Sequence, residues 1–236
     1  MQKLMGRMRA AMERYDMIAA GDRVVVGVSG GKDSLVLLAA LASISHYYPK
    51  PFTVTAVTLD MRFGNEDGDF SAIQSLCDRL QVSYVIKRTE LASVIFDIRK
   101  ESNPCSLCAR MRRGILHDLT KELGCNKLAL GHHMDDAAET FLMNLLSGGT
   151  ASSFSPVTYL SRKDLTMIRP MIFCPEVEVL SVAKKEKLPV LESRCPQNEQ
   201  GNRIKTKELM RTLSADYPAL SEKIIGALQK GHISGW

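Results

Sequence analysis

The chain has 236 residues, 45% hydrophobic and 24% charged, with a mean hydropathy of −0.07. That balance belongs to an ordinary globular protein and excludes disordered, collagen-like and coiled-coil classes. Lysine and arginine number 31 against 26 aspartate and glutamate, a net charge of +5 that leans weakly toward polyanionic partners. No apolar run approaches the roughly 20 residues of a membrane span. The amino-terminal stretch, with Arg7, Arg9 and Arg14 among its apolar residues, lacks the continuous hydrophobic region and cleavage site of a secretory signal, so no membrane partner and a cytoplasmic location are expected. In such a reducing compartment the six cysteines should stay unpaired and be available as ligands or nucleophiles.

In chain order, residues 1–22 read as a helical segment. Residues 24–28, Val-Val-Val-Gly-Val, form a short continuous β-branched run, the pattern of a strand buried on both faces of a parallel sheet. A glycine turn and an apolar helical stretch from Leu35 follow at once. Further strand-like runs occur at 53–59, 82–86 and 127–130, with helical stretches at 71–80 and 111–123 between them. Strands alternating with helices predict an α/β fold with a parallel sheet and right-handed crossovers. After Gly149 the texture changes: a small-residue loop at 150–156, an extended or hairpin-like segment at 157–168, and an amphipathic helix at 176–187. The expected divisions are residues 1–22, 23–170 and 171–236.

Residues 29–34, Ser-Gly-Gly-Lys-Asp-Ser, sit between the first strand and a helix amino terminus, where free N–H groups and the positive dipole end form an anion site. The order is not that of Walker A, which wants Gly where this chain has Val26 and Ser or Thr where it has Asp33. The competing reading is an ordinary tight strand-to-helix turn. Residues 131–136, Gly-His-His-Met-Asp-Asp, form a second turn opening a helix. Ligands of open α/β sheets bind at the carboxyl ends of the strands, so both turns should face one crevice. There Asp135 and Asp136 could hold Mg²⁺ on a nucleotide, or could simply cap the helix. Asp60 and Met61 end the second strand. Cys105 and Cys108 form a C-x-x-C before a helix, and Cys195 lies in a later loop. Zinc, redox and iron–sulfur roles all stay open for such a set, and structural zinc would need a fourth ligand such as His132 or His133. Cys77, Cys125 and Cys174 read as buried hydrophobes. Arg110, Arg112, Arg113, Arg203, Lys205 and Lys207 could grip nucleic-acid phosphates or belong to solvated helix faces.

Ser29, Gly30, Gly31, Asp33 and Ser34 match the S-G-G-x-D-S signature of the PP-loop ATP pyrophosphatase superfamily, which the chain therefore resembles. The C-S-L-C run from Cys105, the G-H-x-x-D-D turn from Gly131 and Arg169-Pro170-Met171 together resemble the tRNA 2-thiocytidine synthetase family (TtcA) within it. The resemblance implies a Rossmann-like parallel five-stranded sheet with helices on both faces and a small carboxy-terminal helical extension. It implies an ATP-dependent tRNA-cytidine sulfurtransferase: ATP on residues 29–34 with Asp60, Met61, Gly131 and His132, and Mg²⁺ near Asp33, Asp135 and Asp136. Lys32, Asp33, Asp135 and Asp136 would act in adenylation of the cytidine O2, which sulfur then replaces with loss of AMP. A 4Fe-4S cluster would be held by Cys105, Cys108 and Cys195. The family usually shows a C-x-x-C at the third ligand, whereas this chain has Asn198 there, which leaves Cys195 alone. The implied partners are tRNA, a cysteine desulfurase or free sulfide as sulfur donor, and a second copy in a homodimer. A uridine thiolase, a lysidine-forming enzyme or a zinc-stabilised tRNA-binding module are the competing readings.

Overall fold

The structure is a computed structural model that describes residues 1–99, 104–196 and 202–236, without the side chains of Asn202 and Arg203. The expectations attached to Arg203 and Asn198 therefore lie outside the described residues.

Helix α1 (Gln2–Arg14) precedes strand β1 (Asp22–Gly27), helix α2 (Lys32–Ser45) and strand β2 (Phe52–Asp60). Helix α3 (Ser71–Arg79), strand β3 (Ser83–Arg88), helix α4 (Pro104–Glu122) and strand β4 (Lys127–Ala129) follow, then helix α5 (Met134–Gly148). A hairpin of β5 (Val157–Leu160) and β6 (Leu165–Ile168) leads to α6 (Glu176–Lys185), α7 (Asn202–Asp216) and α8 (Leu220–Lys230). The sheet runs in the order β3-β2-β1-β4-β6-β5. Its first five members are mutually parallel, with Val26 opposite Ala56 on one side and Ala129 on the other.

The expected five-stranded parallel sheet is thus present with a sixth strand added: β5 pairs antiparallel to β6, Val157 facing Ile168. The reason is chain length. Four residues separate the two strands, enough for a hairpin and far too few for a parallel crossover. A second departure concerns α4, expected from residue 111 but beginning at Pro104. A proline fits the first helical position because its missing N–H would be unpaired there anyway. Cys105 and Cys108 consequently lie within the first turns of this helix, three residues apart on one face, rather than ahead of it.

The strand order reverses between β2-β1 and β1-β4, so the carboxyl ends of β1 and β4 border the crevice where α/β sheets bind ligands. Residues 29–34 leave β1 and residues 131–133 leave β4, which brings the two predicted turns to this one place. Helix α2 is apolar around its circumference because it is buried on all sides, from Leu35 to Ile44. Both outer segments join the same core: Leu4, Met8 and Met12 of α1 are fully buried with Ile225, Leu228 and Trp236. Trp236 donates its indole N–H to the Phe154 carbonyl at 3.0 Å and stands edge-on to Tyr15. No described helix is long and apolar enough to cross a membrane.

Candidate active site

The loop at residues 29–34 is shaped by its own hydroxyls. The Ser34 hydroxyl donates to the Gly31 carbonyl at 2.9 Å and accepts the Ser29 N–H at 3.1 Å, closing the turn onto the amino terminus of α2. Gly30 takes φ +85°, a left-handed conformation that favours glycine. The second turn rests on the first. A Cβ added to Gly131 would stand 3.1 Å from both the Asp33 carbonyl carbon and the Ser34 nitrogen, so only glycine lets the two backbones approach this closely.

The capping expectation for Asp136 is fulfilled. His133 is the N-cap of α5: its N–H donates to Asp136 Oδ2 at 3.0 Å, and its Nδ1 accepts the Asp136 N–H at 3.3 Å. The buried His133 ring lies 3.8 Å from Asp33, 3.9 Å from Asp135 and 3.5 Å from Asp136. The three carboxylates singled out by sequence therefore converge around one imidazole. Asp135 is also structural: its Oδ2 accepts the Glu176 N–H at 2.6 Å at the start of α6, and its Oδ1 accepts the Ser221 hydroxyl at 2.8 Å. A carboxylate offers about four acceptor positions, so these bonds do not exhaust it. In donor chemistry the three carboxylates around this imidazole suit Mg²⁺, which takes hard oxygen ligands.

Lys32 donates to Asp33 at 2.7 Å and lies 3.1 Å from Glu176 Oε1. Burial opposes its charge, but the bonds to Asp33 and Glu176 prevail and raise its pKa above the ordinary lysine value. Glu176 had no sequence signal beyond an acidic first turn of α6. Burial pushes its carboxyl up, yet the hydrogen bonds from Lys207 and Lys32 overcome this and bring it down to about 2. A depressed carboxyl stabilises the fold fully above its unfolded value of 4.5 and loses that stabilisation as pH falls toward 2. The half-exposed setting reduces the contribution to about 2 kcal/mol. Denaturant midpoints of the native chain and Glu176→Gln, compared from pH 7 to pH 3, should converge below pH 4.5.

Asp60 is buried and organises the loop after β2: its carboxylate accepts the N–H groups of Arg62 at 3.0 Å and Gly68 at 2.9 Å. Its carbonyl accepts both the N–H and the hydroxyl of Thr89. Met61 joins an apolar cluster with Leu91, Ala92 and Ile95, against which Cys108 packs. Cys108 is thereby linked to the end of β2. The Cys108 thiol is pushed up by burial, and its neighbours Cys195 and Cys105 add to that while Arg112 opposes it. Arg112, expected at RNA phosphates, is therefore a partner of the Cys108 sulfur.

The segment carrying Cys195 runs over the phosphate loop. The Leu191 N–H donates to the Gly30 carbonyl at 2.9 Å, and the Leu191 side chain covers Gly30 so closely that a Cβ there would sit 3.1 Å from it. Arg194 then donates to the Phe63 carbonyl at 2.8 Å. This strap brings Cys195 into the neighbourhood of Cys105 and Cys108. All three thiols are free and at least partly accessible. Among the described residues no three His, Cys, Asp or Glu side chains are already closed to metal-holding separation. In donor chemistry the trio suits an iron–sulfur cluster, because three soft thiolates are the ligands such a centre takes. By contrast Cys77, Cys125 and Cys174 are buried and their thiols are raised by burial, Cys77 to about 11 and Cys174 to about 12, as befits structural cysteines.

Arg110, Arg113 and Lys205 are exposed, as a phosphate-contacting role allows. Lys207 is not on a free face: it pairs with Glu176 at the phosphate loop. His132 stacks on Phe154 at 4.8 Å between ring centroids, and the guanidinium of the buried Arg169 lies over the same Phe154 ring at 5.0 Å. Burial lowers the Arg169 pKa to about 10.

With this geometry the PP-loop domain description matches residues 4–210. The chain belongs to the PP-loop family. It is 37% identical over 230 residues to the tRNA-cytidine(32) 2-sulfurtransferase of Syntrophotalea carbinolica, covering 96% of this chain and 87% of that protein. The protein of the same name from Citrifermentans bemidjiense is 34% identical over 98% of this chain and 91% of its own length. Among solved structures, the U34-tRNA thiolase NcsA from Methanococcus maripaludis, determined with its 4Fe-4S cluster, superimposes with a TM-score of 0.80 at 25% identity. It covers 97% of this chain and 77% of that one. The family and fold class implied by the motifs are borne out.

Proposed function

We propose that this PP-loop protein is an ATP-dependent tRNA-cytidine sulfurtransferase that converts the C2 oxygen of a tRNA cytidine to sulfur, at position 32 as its curated relatives' names state. The observation that carries the reading is the strap: Leu191 ties the segment bearing Cys195 to Gly30 of the phosphate loop, so sulfur chemistry and nucleotide chemistry share one crevice. Lys32, kept cationic by Asp33 and Glu176, and the free amides at the α2 amino terminus would hold the β- and γ-phosphates. Both stabilise the charge that develops on departing pyrophosphate. Asp33, Asp135 and Asp136 would hold Mg²⁺ on the triphosphate.

Cytosine O2 is already a nucleophilic carbonyl oxygen, so its attack on the α-phosphorus needs alignment rather than a base. Pyrophosphate leaves, the oxygen now carries AMP, and C2 becomes electrophilic. Sulfide then adds at C2 and AMP departs with the original oxygen. Cys105, Cys108 and Cys195 would hold the 4Fe-4S cluster, which supplies the sulfur in reactive form. A base has to leave its stack to bring O2 to the α-phosphorus, which favours a single-stranded loop nucleotide over one in a duplex. The sulfur donor, a desulfurase or free sulfide, and a homodimeric state belong to the same proposal.

The test is anaerobic incubation of the iron-loaded protein with tRNA, ATP, Mg²⁺ and sulfide, followed by nucleoside mass spectrometry. The expected result is 2-thiocytidine with equimolar AMP and pyrophosphate. Appearance of 2-thiouridine would transfer the protein to the uridine thiolases. Absence of any thionucleoside despite pyrophosphate release would refute sulfur transfer.

A further inference from the structure

Lys207 lies on α7, far along the chain from the phosphate loop, yet its Nζ reaches Glu176 Oε1 at 2.9 Å and Oε2 at 2.8 Å. Lys32 approaches the same Oε1 at 3.1 Å. One carboxylate oxygen is therefore shared by two ammonium groups, of which one belongs to the phosphate loop. Such a pair would repel without an anion between them, and a carboxylate and a phosphate present similar oxygen acceptors to lysine. The placement of Glu176 is not accidental: its N–H is held by Asp135 at 2.6 Å, which fixes the carboxylate at the start of α6 beside the second turn. Lys207 is fixed in turn, because α7 packs along α5, the helix that this turn opens.

We propose that Lys207 is a second polyphosphate-binding cation of the nucleotide site, held ready by Glu176, which stands where phosphate oxygens can replace it. This rests on the reading of residues 29–34 as a phosphate loop and deepens it. A ligand with β- and γ-phosphates would draw Lys207 and Lys32 to itself, so that α7 closes on the site through the charge of the ligand. Nucleoside monophosphates, which lack those phosphates, would not engage Lys207.

The test uses the full chain, purified anaerobically with its metal centre, and calorimetric titration with Mg²⁺-pyrophosphate, α,β-methylene-ATP and AMP. Lys207→Met should weaken pyrophosphate and α,β-methylene-ATP about tenfold, the size expected for loss of one charge-assisted contact, and leave AMP within about twofold. Lys207→Arg should recover most of the loss. Thermal midpoints are read for each variant, and Lys207→Gln provides the same comparison should the methionine variant not fold. Unchanged pyrophosphate affinity in Lys207→Met overturns the proposal, as does an equal loss for AMP, which would mark a merely structural pin. No tRNA or sulfide enters the titration, so failure to form a thionucleoside does not bear on it. Failure of the unaltered chain to bind pyrophosphate would instead refute the phosphate-loop reading itself.

Discussion

Cys195→Ala is expected to abolish thiolation while leaving the affinity for pyrophosphate and ATP within about twofold. The separation follows from how the strap is fastened. Leu191 bonds Gly30 and Arg194 bonds the Phe63 carbonyl, whereas the hydrogen bond of Cys195 among the described residues is local, its N–H to the Ser193 hydroxyl at 3.3 Å. Removing the sulfur therefore removes the proposed ligand without loosening the segment over residues 29–34. Loss of a direct metal ligand should exceed the 10–100-fold range typical of outer-sphere changes, so 2-thiocytidine formation should fall by more than about 100-fold. Iron and sulfide content and the thiolate-to-iron absorbance are measured in parallel, with pyrophosphate titration as the control. A variant that keeps both its iron and its activity would show that the third ligand lies elsewhere.

Gly131→Val should have the opposite signature, with nucleotide binding lost first. The Asp33 and Ser34 backbones stand 3.1 Å from where even a methyl group would be placed, and a branched side chain must push the phosphate loop away from the second turn. Backbone cannot yield as a flexible side chain can. Displacing the loop by even about 1 Å costs on the order of 100-fold in a reaction that depends on alignment, and ATP affinity should weaken at least tenfold. The position lies outside the Met61, Leu91, Ala92 and Ile95 cluster against which Cys108 packs, so iron incorporation should survive while adenylation, read as pyrophosphate release with tRNA, collapses. Normal pyrophosphate release from Gly131→Val would mean that the two turns need not touch during the reaction.

These two variants divide the site along the line that separates what was legible from what was not. Ser29 to Ser34, Gly131 to Asp136 and the strand preceding each turn are local patterns: a β-branched run, a glycine turn and a helix start within about fifteen residues. The physics that shapes them, from φ at Gly30 to the hydroxyl of Ser34, acts over the same short span. The cysteine pair is legible for the same reason, whereas the start of α4 is not, because Pro104 reads as a breaker until it is seen at a first helical position. The segment at 157–168 is legible as extended or hairpin-like chain, but the pairing of β6 with β4 that makes β5 a sheet edge is not.

The amino-acid sequence by itself determined the α/β alternation, the glycine turn at residues 29–34, the acidic second turn and the three candidate sulfurs, because each is encoded by neighbours in the chain. Only the tertiary structure decided that Leu191 lies on Gly30, that Glu176 bridges Lys32 and Lys207, that Arg112 faces Cys108, and that Asp135 anchors α6. Those partners are separated by long stretches of chain, except Arg112 and Cys108, one helical turn apart, whose pairing became definite once both were in the helix. Contacts between distant segments carry no periodicity in the sequence. They are set by the switch in strand order at β1 and β4, which brings several loops to one crevice, and by the packing of α6 and α7 over it.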